Sequence, residues 1–399
     1  MRIKDISCIE VFDSRGEPTI NVSVKIDSGF VGISEVPSGK SRGKDEASVV
    51  SFLQAKKNIK KLMPSLRSKN FSSIKSLDEF LIDFDGTKDK HILGGNLMIG
   101  ISLATAKAVA NSEKKELWEV IRNTYFKGGK IGTRRPMIFS NIINGGVHAQ
   151  TDLSIQEYIA VAYPFDNPAQ MVSRIISVYR EVGNILKKNT GLKRLTIGDE
   201  GGYAIDFKDN EAPLKIINQA IKNLHFEKRF ALAIDAAASE FFKDGKYDFE
   251  GKKKTKDEML NIYSSYTRDI PSLISIEDPL DEEDYLGFGE ACLKLPKIWI
   301  IGDDLTTTSY SKIDSYMKNK YITGAIIKPN QIGTLFETCE AIKAVKKYNG
   351  NVIISHRSGE TVDTAIIHIA KASMIDALKI GAPARERLIK FNEYIRLFS

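Results

Sequence analysis

The chain has 399 residues, 42% of them apolar, more than one hydrophobic core usually organises, so two domains are expected. Its 58 Lys and Arg against 51 Asp and Glu leave a net charge of +7. The lysines are dispersed (Lys56, Lys57, Lys60 and Lys61; Lys187 and Lys188; Lys252 to Lys254) without interleaved aromatics, which argues against a nucleic-acid partner and leaves a mild field that attracts anions. Cys8, Cys292 and Cys339 show no CxxC spacing, so neither a disulfide framework nor a thiolate zinc site is expected. Arg2, Lys4, Asp5 and Glu10 occupy the place of a signal peptide's apolar core, and no run approaches the ~20 apolar residues of a membrane span. The expectation is a soluble cytoplasmic protein without a membrane span.

In chain order, residues 3 to 11 and 19 to 26 alternate apolar and polar, and a second turn leads into Phe30 to Ile33, predicting a three-stranded antiparallel meander. Pro37 to Gly43 is a run of small and basic residues and reads as a mobile loop. Helical spacing predicts a helix from Asp45 to about Met63. Ser76-Leu-Asp-Glu79 reads as a capping box opening a short helix, and Leu97 to Ala110 as a buried one. This α+β segment closes at Lys127 to Pro136, whose Gly, Pro and charge content predicts a linker, so the domains are 1–131 and 132–399.

Beyond the linker, short apolar runs end abruptly in ionisable residues. Trp299 to Gly302 runs into Asp303, Ala231 to Ile234 into Asp235, Leu273 to Ile276 into Glu277, and Ala325 to Ile327 into Lys328. Strands of parallel barrels are buried on both faces and present their reactive groups at their C-terminal ends. Asp303, Lys328, His356 and Lys379 lie 25, 28 and 23 residues apart, close to the period of a β/α barrel. Leu195 to Ile197, ahead of Gly198-Asp-Glu-Gly-Gly202, reads as one more barrel strand carrying Glu200 to the same mouth.

Three carboxylates on three strand ends form a hard-cation pattern, Asp235, Glu277 and Asp303. Lys328 and Lys379 follow apolar runs, where burial and mutual repulsion are expected to lower a lysine pKa toward that of a base. Either lysine is equally compatible with a structural ion pair. Ser355-His-Arg-Ser-Gly359 offers a guanidinium, hydroxyls and backbone N–H groups to phosphate, although a helix cap with a surface Arg gives the same string. The set is suited to removing a proton α to a carboxylate and expelling a β-leaving group while a cation stabilises the enolate.

The motifs Asp13-Ser-Arg-Gly-Glu-Pro-Thr19, Asn141 to Gly146 with His148, Gln156-Glu157, Gly198 to Gly202, Ser275-Ile-Glu-Asp-Pro279, Gly302-Asp-Asp-Leu-Thr306, Lys328 to Leu335, Ser355 to Thr361 and Lys379 to Pro383 resemble the enolase family, in order and over nearly the whole chain. The resemblance implies an N-terminal α+β domain on an enolase-type β/α barrel, homo-oligomers (dimers or octamers), two magnesium ions per site, and interconversion of 2-phosphoglycerate with phosphoenolpyruvate. It implies that Lys328 is the base, that Glu200 assisted by Glu157 is the acid, and that His148 also serves catalysis. Gln156, His356, Arg357, Ser358 and Lys379 would bind substrate. Asp235, Glu277 and Asp303 would hold the first magnesium, and Ser41 the second. A lysine base working beside magnesium is a known pairing in this superfamily. Three departures stand out: Lys40 and Arg42 where the family has small residues, a run Ala384 to Arg387 that is one residue short, and Val362 at a commonly acidic position. A lyase for another carboxylate, and a non-catalytic binding or scaffold protein of the same fold, are the alternative readings.

Overall fold

The computed structural model describes residues 1–40, 43–126, 135–149 and 151–399, with the side chain of His148 outside that description. Ser41, Arg42 and the expected linker core 127–134 therefore lie outside the described residues.

The meander forms as its alternation requires: β1 (Ile3–Phe12), β2 (Pro18–Ile26) and β3 (Val31–Glu35) pair antiparallel in that order. Ile20, Val22, Val24 and Ile26 of β2 turn inward against a layer of helices. These are α1 (Phe52–Arg67), α2 (Ile74–Asp85), α3 (Gly95–Glu113) and α4 (Leu117–Tyr125). Two helix starts differ from the sequence pattern. α1 opens at Phe52 with Ser51 as N-cap, because the preceding backbone bonds elsewhere: Ala47 N–H to the Gln331 carbonyl, Ser48 N–H to that of Asp89, and Val50 N–H to the Asn96 side chain. α2 opens one turn before Ser76, since Ser73 and Ser76 cap each other reciprocally and Ser76 is the third helical residue.

The second half closes an eight-stranded barrel. Its strands are β4 (Met137–Asn144), β5 (Glu157–Ala162), β6 (Phe230–Asp235), β10 (Leu273–Glu277), β11 (Trp299–Gly302), β12 (Gly324–Ile327), β13 (Asn351–Ser355) and β14 (Ala377–Lys379). A small antiparallel sheet, β7 (Phe242–Lys243), β8 (Lys246–Phe249) and β9 (Lys252–Lys254), follows β6. The barrel is not all parallel: β5 runs antiparallel to both β4 and β6, because the described residues of the β4–β5 connection contain no crossover helix. Residues 195–197 do not join the barrel; Ile197 makes only an isolated bridge to Tyr203.

Inside the barrel Phe139, Ile159, Val161, Ala231, Ala233, Ile301, Ile326, Ile353 and Ala377 form an apolar floor, with Phe139 stacked on Trp299. Side chains alternate along a strand, so two residues above this floor each parallel strand again points inward. That step takes Ala233 to Asp235, Ile301 to Asp303, Ile326 to Lys328 and Ala377 to Lys379. In antiparallel β5 the same rim is reached in reverse, from Ile159 back to Glu157.

The N-terminal sheet is bolted to the barrel by Asp363, whose carboxylate accepts from Ser34 Oγ (2.8 Å), Glu35 N (3.1 Å), Lys107 Nζ (2.7 Å) and Ala365 N (2.9 Å). Burial raises this carboxyl, but the Lys107 ammonium and the hydrogen bonds outweigh it and hold the group below its ordinary range. A carboxyl lowered by folding stabilises the fold above its unfolded pKa, and that stability is lost as pH falls through the folded value. Asp363→Asn is thus expected to cost about 3 kcal/mol in urea denaturation near neutral pH. The difference from wild type should shrink as pH falls below the ordinary carboxylate range; a pH-independent difference would contradict this account.

Candidate active site

The barrel mouth holds a cleft lined by residues from both halves of the chain, among them Gly39, Glu157, Glu200, Asp235, Asp303, Lys328, Arg357 and Lys379. Lys379 is its electrostatic centre. The buried ammonium lies 3.0 Å from Asp235 Oδ2, 2.9 and 2.8 Å from the two oxygens of Glu277, and 3.3 Å from Glu157 Oε2. Burial alone would depress it, yet the surrounding carboxylates, Asp235 foremost, raise it well above its ordinary value. Lys328 contacts Asp303 Oδ2 directly. Burial again pulls it down, but Asp303 prevails and raises it. The expected repulsion between two neutralising lysines is therefore not what this charge arrangement produces, because each ammonium has its own carboxylate partner.

The acids are distributed unevenly around these cations. Asp303 is held below the ordinary range because Lys328 and Lys379 overcome its burial. Glu277 is raised strongly by burial and by Asp235, and Glu157 by burial and by Glu200. Asp304 is pushed up to about 8 by burial and Asp303. Asp235, Glu277 and Asp303 thus bring three carboxyl groups to one region beside the two lysines. Oxygen-rich donors in this state suit a divalent cation. Asp278, Asp303 and Asp304 also place oxygens within 4.8 Å of one another. Asp278, however, uses both of its oxygens to accept the backbone N–H groups of Asp303 (3.0 Å) and Asp304 (2.7 Å), which fixes the strand end that carries Asp303.

Across the cleft, Asn141 Nδ2 donates to Glu200 Oε2 at 3.0 Å, and His356 Nε2 lies 3.4 Å from the same oxygen. Burial keeps His356 below its ordinary pKa, so the ring favours its neutral form. Gln156 Nε2 reaches Asp235 Oδ2 at 3.5 Å. Arg357 is buried, and its guanidinium meets the Glu46 carboxylate at 3.1 to 3.2 Å and Asn330 Oδ1 at 2.9 Å. Ser358 Oγ accepts the backbone N–H of Lys40 at 2.9 Å. Of the residues singled out in the sequence, the structure brings Gln156, Glu157, Glu200, Asp235, Glu277, Asp303, Lys328, His356, Arg357, Ser358 and Lys379 to this rim. Ser41 and the His148 side chain lie outside the described residues.

The models of the enolase N-terminal domain and of the enolase C-terminal TIM barrel domain match residues 3–121 and 133–398. The chain belongs to the enolase family. An enolase of Methanopyrus kandleri is 36% identical over 413 residues, covering 99% of this chain and 95% of that protein. An enolase of Methanocaldococcus jannaschii is 36% identical over 407 residues (99% and 94%), and one of Aeropyrum pernix 35% over 404 residues (98% and 92%).

Several supports of this enolase-family site were not legible as such. Glu46 gives no sequence signal for pairing with Arg357 across the two halves of the chain. Gln331 donates to both Asp303 Oδ1 (3.2 Å) and Glu46 Oε1 (3.1 Å), although only its motif stood out. Ala237, Asp278, Thr307 and Thr308 adopt left-handed φ of 43°, 39°, 47° and 56° at the rim, a conformation costing on the order of 1–3 kcal/mol each. Hydrogen bonds hold them: Ala237 N–H to Asp235 Oδ1, Thr307 N–H to the Asp303 carbonyl, and Thr308 Oγ1 between Lys328 N–H and Gln331 Oε1.

Replacing Lys379 by Met leaves Asp235, Glu277 and Glu157 buried without their shared cation. Urea denaturation in the presence of chelator is expected to show a loss of about 3 kcal/mol, partly regained with a millimolar divalent cation. An unchanged midpoint would contradict the central place given to this ammonium.

Proposed function

We infer that this chain catalyses the reversible dehydration of 2-phosphoglycerate to phosphoenolpyruvate and water, as a carbon–oxygen lyase. The observation that carries this reading is that Lys328 and Glu200 line one cleft together with the buried acids Glu157, Asp235 and Asp303 and with Arg357. Neutral Lys328 Nζ takes the proton from carbon 2, and the electron pair of that C–H bond becomes the second bond between carbons 2 and 3. Glu200, in its protonated form, gives its proton to the hydroxyl leaving carbon 3, which departs as water. Glu157 lies in the same buried acid group, and its raised carboxyl favours retention of a proton there. In the reverse direction the roles invert.

Asp235, Glu277 and Asp303 would hold a divalent cation, which would supply positive charge beside the substrate carboxylate; with Asp303 so engaged, Lys328 would lose the partner that keeps it protonated. Magnesium, two ions per site with Ser41 serving the second, follows from the family resemblance. Lys379 faces the carboxylate, Arg357 and Ser358 the phosphate, and His356 and Gln156 complete the pocket, while a role for His148 follows from the family resemblance alone. The two matched segments suit a domain boundary near residue 131. Ile9, Phe12 and Ile33 leave apolar surface exposed on the N-terminal sheet (59%, 65% and 51%), as a homo-oligomer, dimer or octamer, would use. Three free cysteines suit a cytoplasmic location, and among the described residues no helix is long and apolar enough to cross a membrane.

The test is a coupled assay of purified protein with magnesium and with chelator. Magnesium-dependent turnover is expected, and Lys328→Ala and Glu200→Gln should each lower kcat by about 10²–10⁴-fold with an unchanged far-ultraviolet spectrum. Absence of turnover with magnesium, in folded wild-type protein, would overturn the assignment and favour a binding role.

A further inference from the structure

We propose that Lys40 is a positioning residue, tethering the loop that follows β3 to the turn carrying Glu200 and so fixing where the acid stands. The inference rests on the role given to Glu200 above. Lys40 is held from two sides. Its backbone N–H donates to Ser358 Oγ at 2.9 Å, and its ammonium lies 2.9 Å from Asp199 Oδ2. Two residues earlier, Ser38 and Gly359 exchange backbone hydrogen bonds of 2.8 and 2.9 Å. Gly39, between them, lines the cleft. One short stretch of the N-terminal half thus grips the phosphate-side loop by its backbone and the acid's loop by a side chain.

The loop of Glu200 needs such a hold. Gly198 N–H bonds the Gly202 carbonyl (2.8 Å), Gly201 N–H bonds that of Gly198 (3.0 Å), and Gly201 has a φ of +81°. This tight turn belongs to no barrel strand, although Asn141 of β4 donates to Glu200 Oε2. The barrel side anchors it through Tyr179 Oη, which donates to the Gly201 carbonyl at 2.8 Å, and through Ala382 N–H, which donates to that of Glu200 at 2.9 Å. Lys40 supplies a further hold from the N-terminal half, at the residue next to Glu200. A small side chain at position 40, as the family resemblance leads one to expect, could not reach Asp199. The pair is half-exposed, 45% for the Lys40 side chain and 28% for Asp199, so its effect is that of one partly screened ion pair.

Steady-state kinetics on the magnesium-loaded protein separates positioning from simple attraction of an anionic substrate. Lys40→Ala and Asp199→Asn are each expected to lower kcat by about two- to fivefold with KM within twofold. The double variant should be no slower than either single one, and Lys40→Arg should restore most of the rate. Attraction by charge alone would move KM in opposite directions in the two single variants and leave kcat unchanged. That result, or single effects that multiply in the double variant, would overturn the inference. Hydrogen exchange on the same proteins supplies a readout independent of turnover: amides of 198–202 should exchange faster in Lys40→Ala than in wild type, and equal protection would overturn the tether. Inactive wild-type protein would instead defeat the reading of the reaction, and the exchange result would then decide the tether by itself.

Discussion

The site depends on one ammonium, that of Lys379, enclosed by the carboxylates of Asp235, Glu277 and Glu157. Three strand ends point acids at one another within a buried space, which without a cation would carry a desolvation cost of several kcal/mol per charge. The Lys379 ammonium offsets that cost while leaving the cluster acidic enough to receive further positive charge. Lys328 and Asp303 repeat the device on the neighbouring strands, and there the pairing keeps a base protonated until its partner's charge is taken up elsewhere. Electrostatics that stabilise the fold and electrostatics that prepare the chemistry are in this molecule the same contacts.

The N-terminal half completes the rim. The Asp13 carboxylate, the Arg15 guanidinium and Ser38 Oγ form a closed network of 2.7 to 2.9 Å contacts that presses the β1–β2 turn and the loop after β3 onto Gly359. A Cβ at Gly359 would stand 2.0 Å from Asp13 Oδ2, so only glycine allows this approach. Arg387 reaches the same place from the C-terminal side, donating to the Ser358 carbonyl at 2.7 Å. Glu46 then crosses from the N-terminal half to orient Arg357. The guanidinium that faces the cleft is thus oriented by a residue distant in sequence.

The sequence disclosed much of this because the site is built on strands. Inward alternation and an abrupt change from apolar to ionisable residues are local signals, and Asp235, Glu277, Asp303, Lys328 and Lys379 all carry them. What stayed hidden has no local signature. The antiparallel course of β5 is set by a connection whose described residues hold no crossover helix, and its run of six residues reads the same in either direction. The start of α1 is decided by long-range bonds to Gln331 and Asn96, and that of α2 by a serine pair that competes with the Ser76–Glu79 pattern. The protonation of Lys328 is hidden for a related reason: burial and repulsion can be inferred along the chain, whereas the direct contact with Asp303 is a matter of how neighbouring strands align.

The most direct test of the whole account follows the carbon 2 proton itself. With 2-phosphoglycerate in deuterium oxide and magnesium present, proton NMR of the Glu200→Gln variant should show solvent deuterium entering carbon 2 without comparable release of phosphoenolpyruvate, because Lys328 is intact and only departure of the hydroxyl is impaired. The Lys328→Ala variant should show no such exchange. Exchange that persists without Lys328, or fails in Glu200→Gln while that protein still binds substrate, would contradict the assignment of base to Lys328 and acid to Glu200.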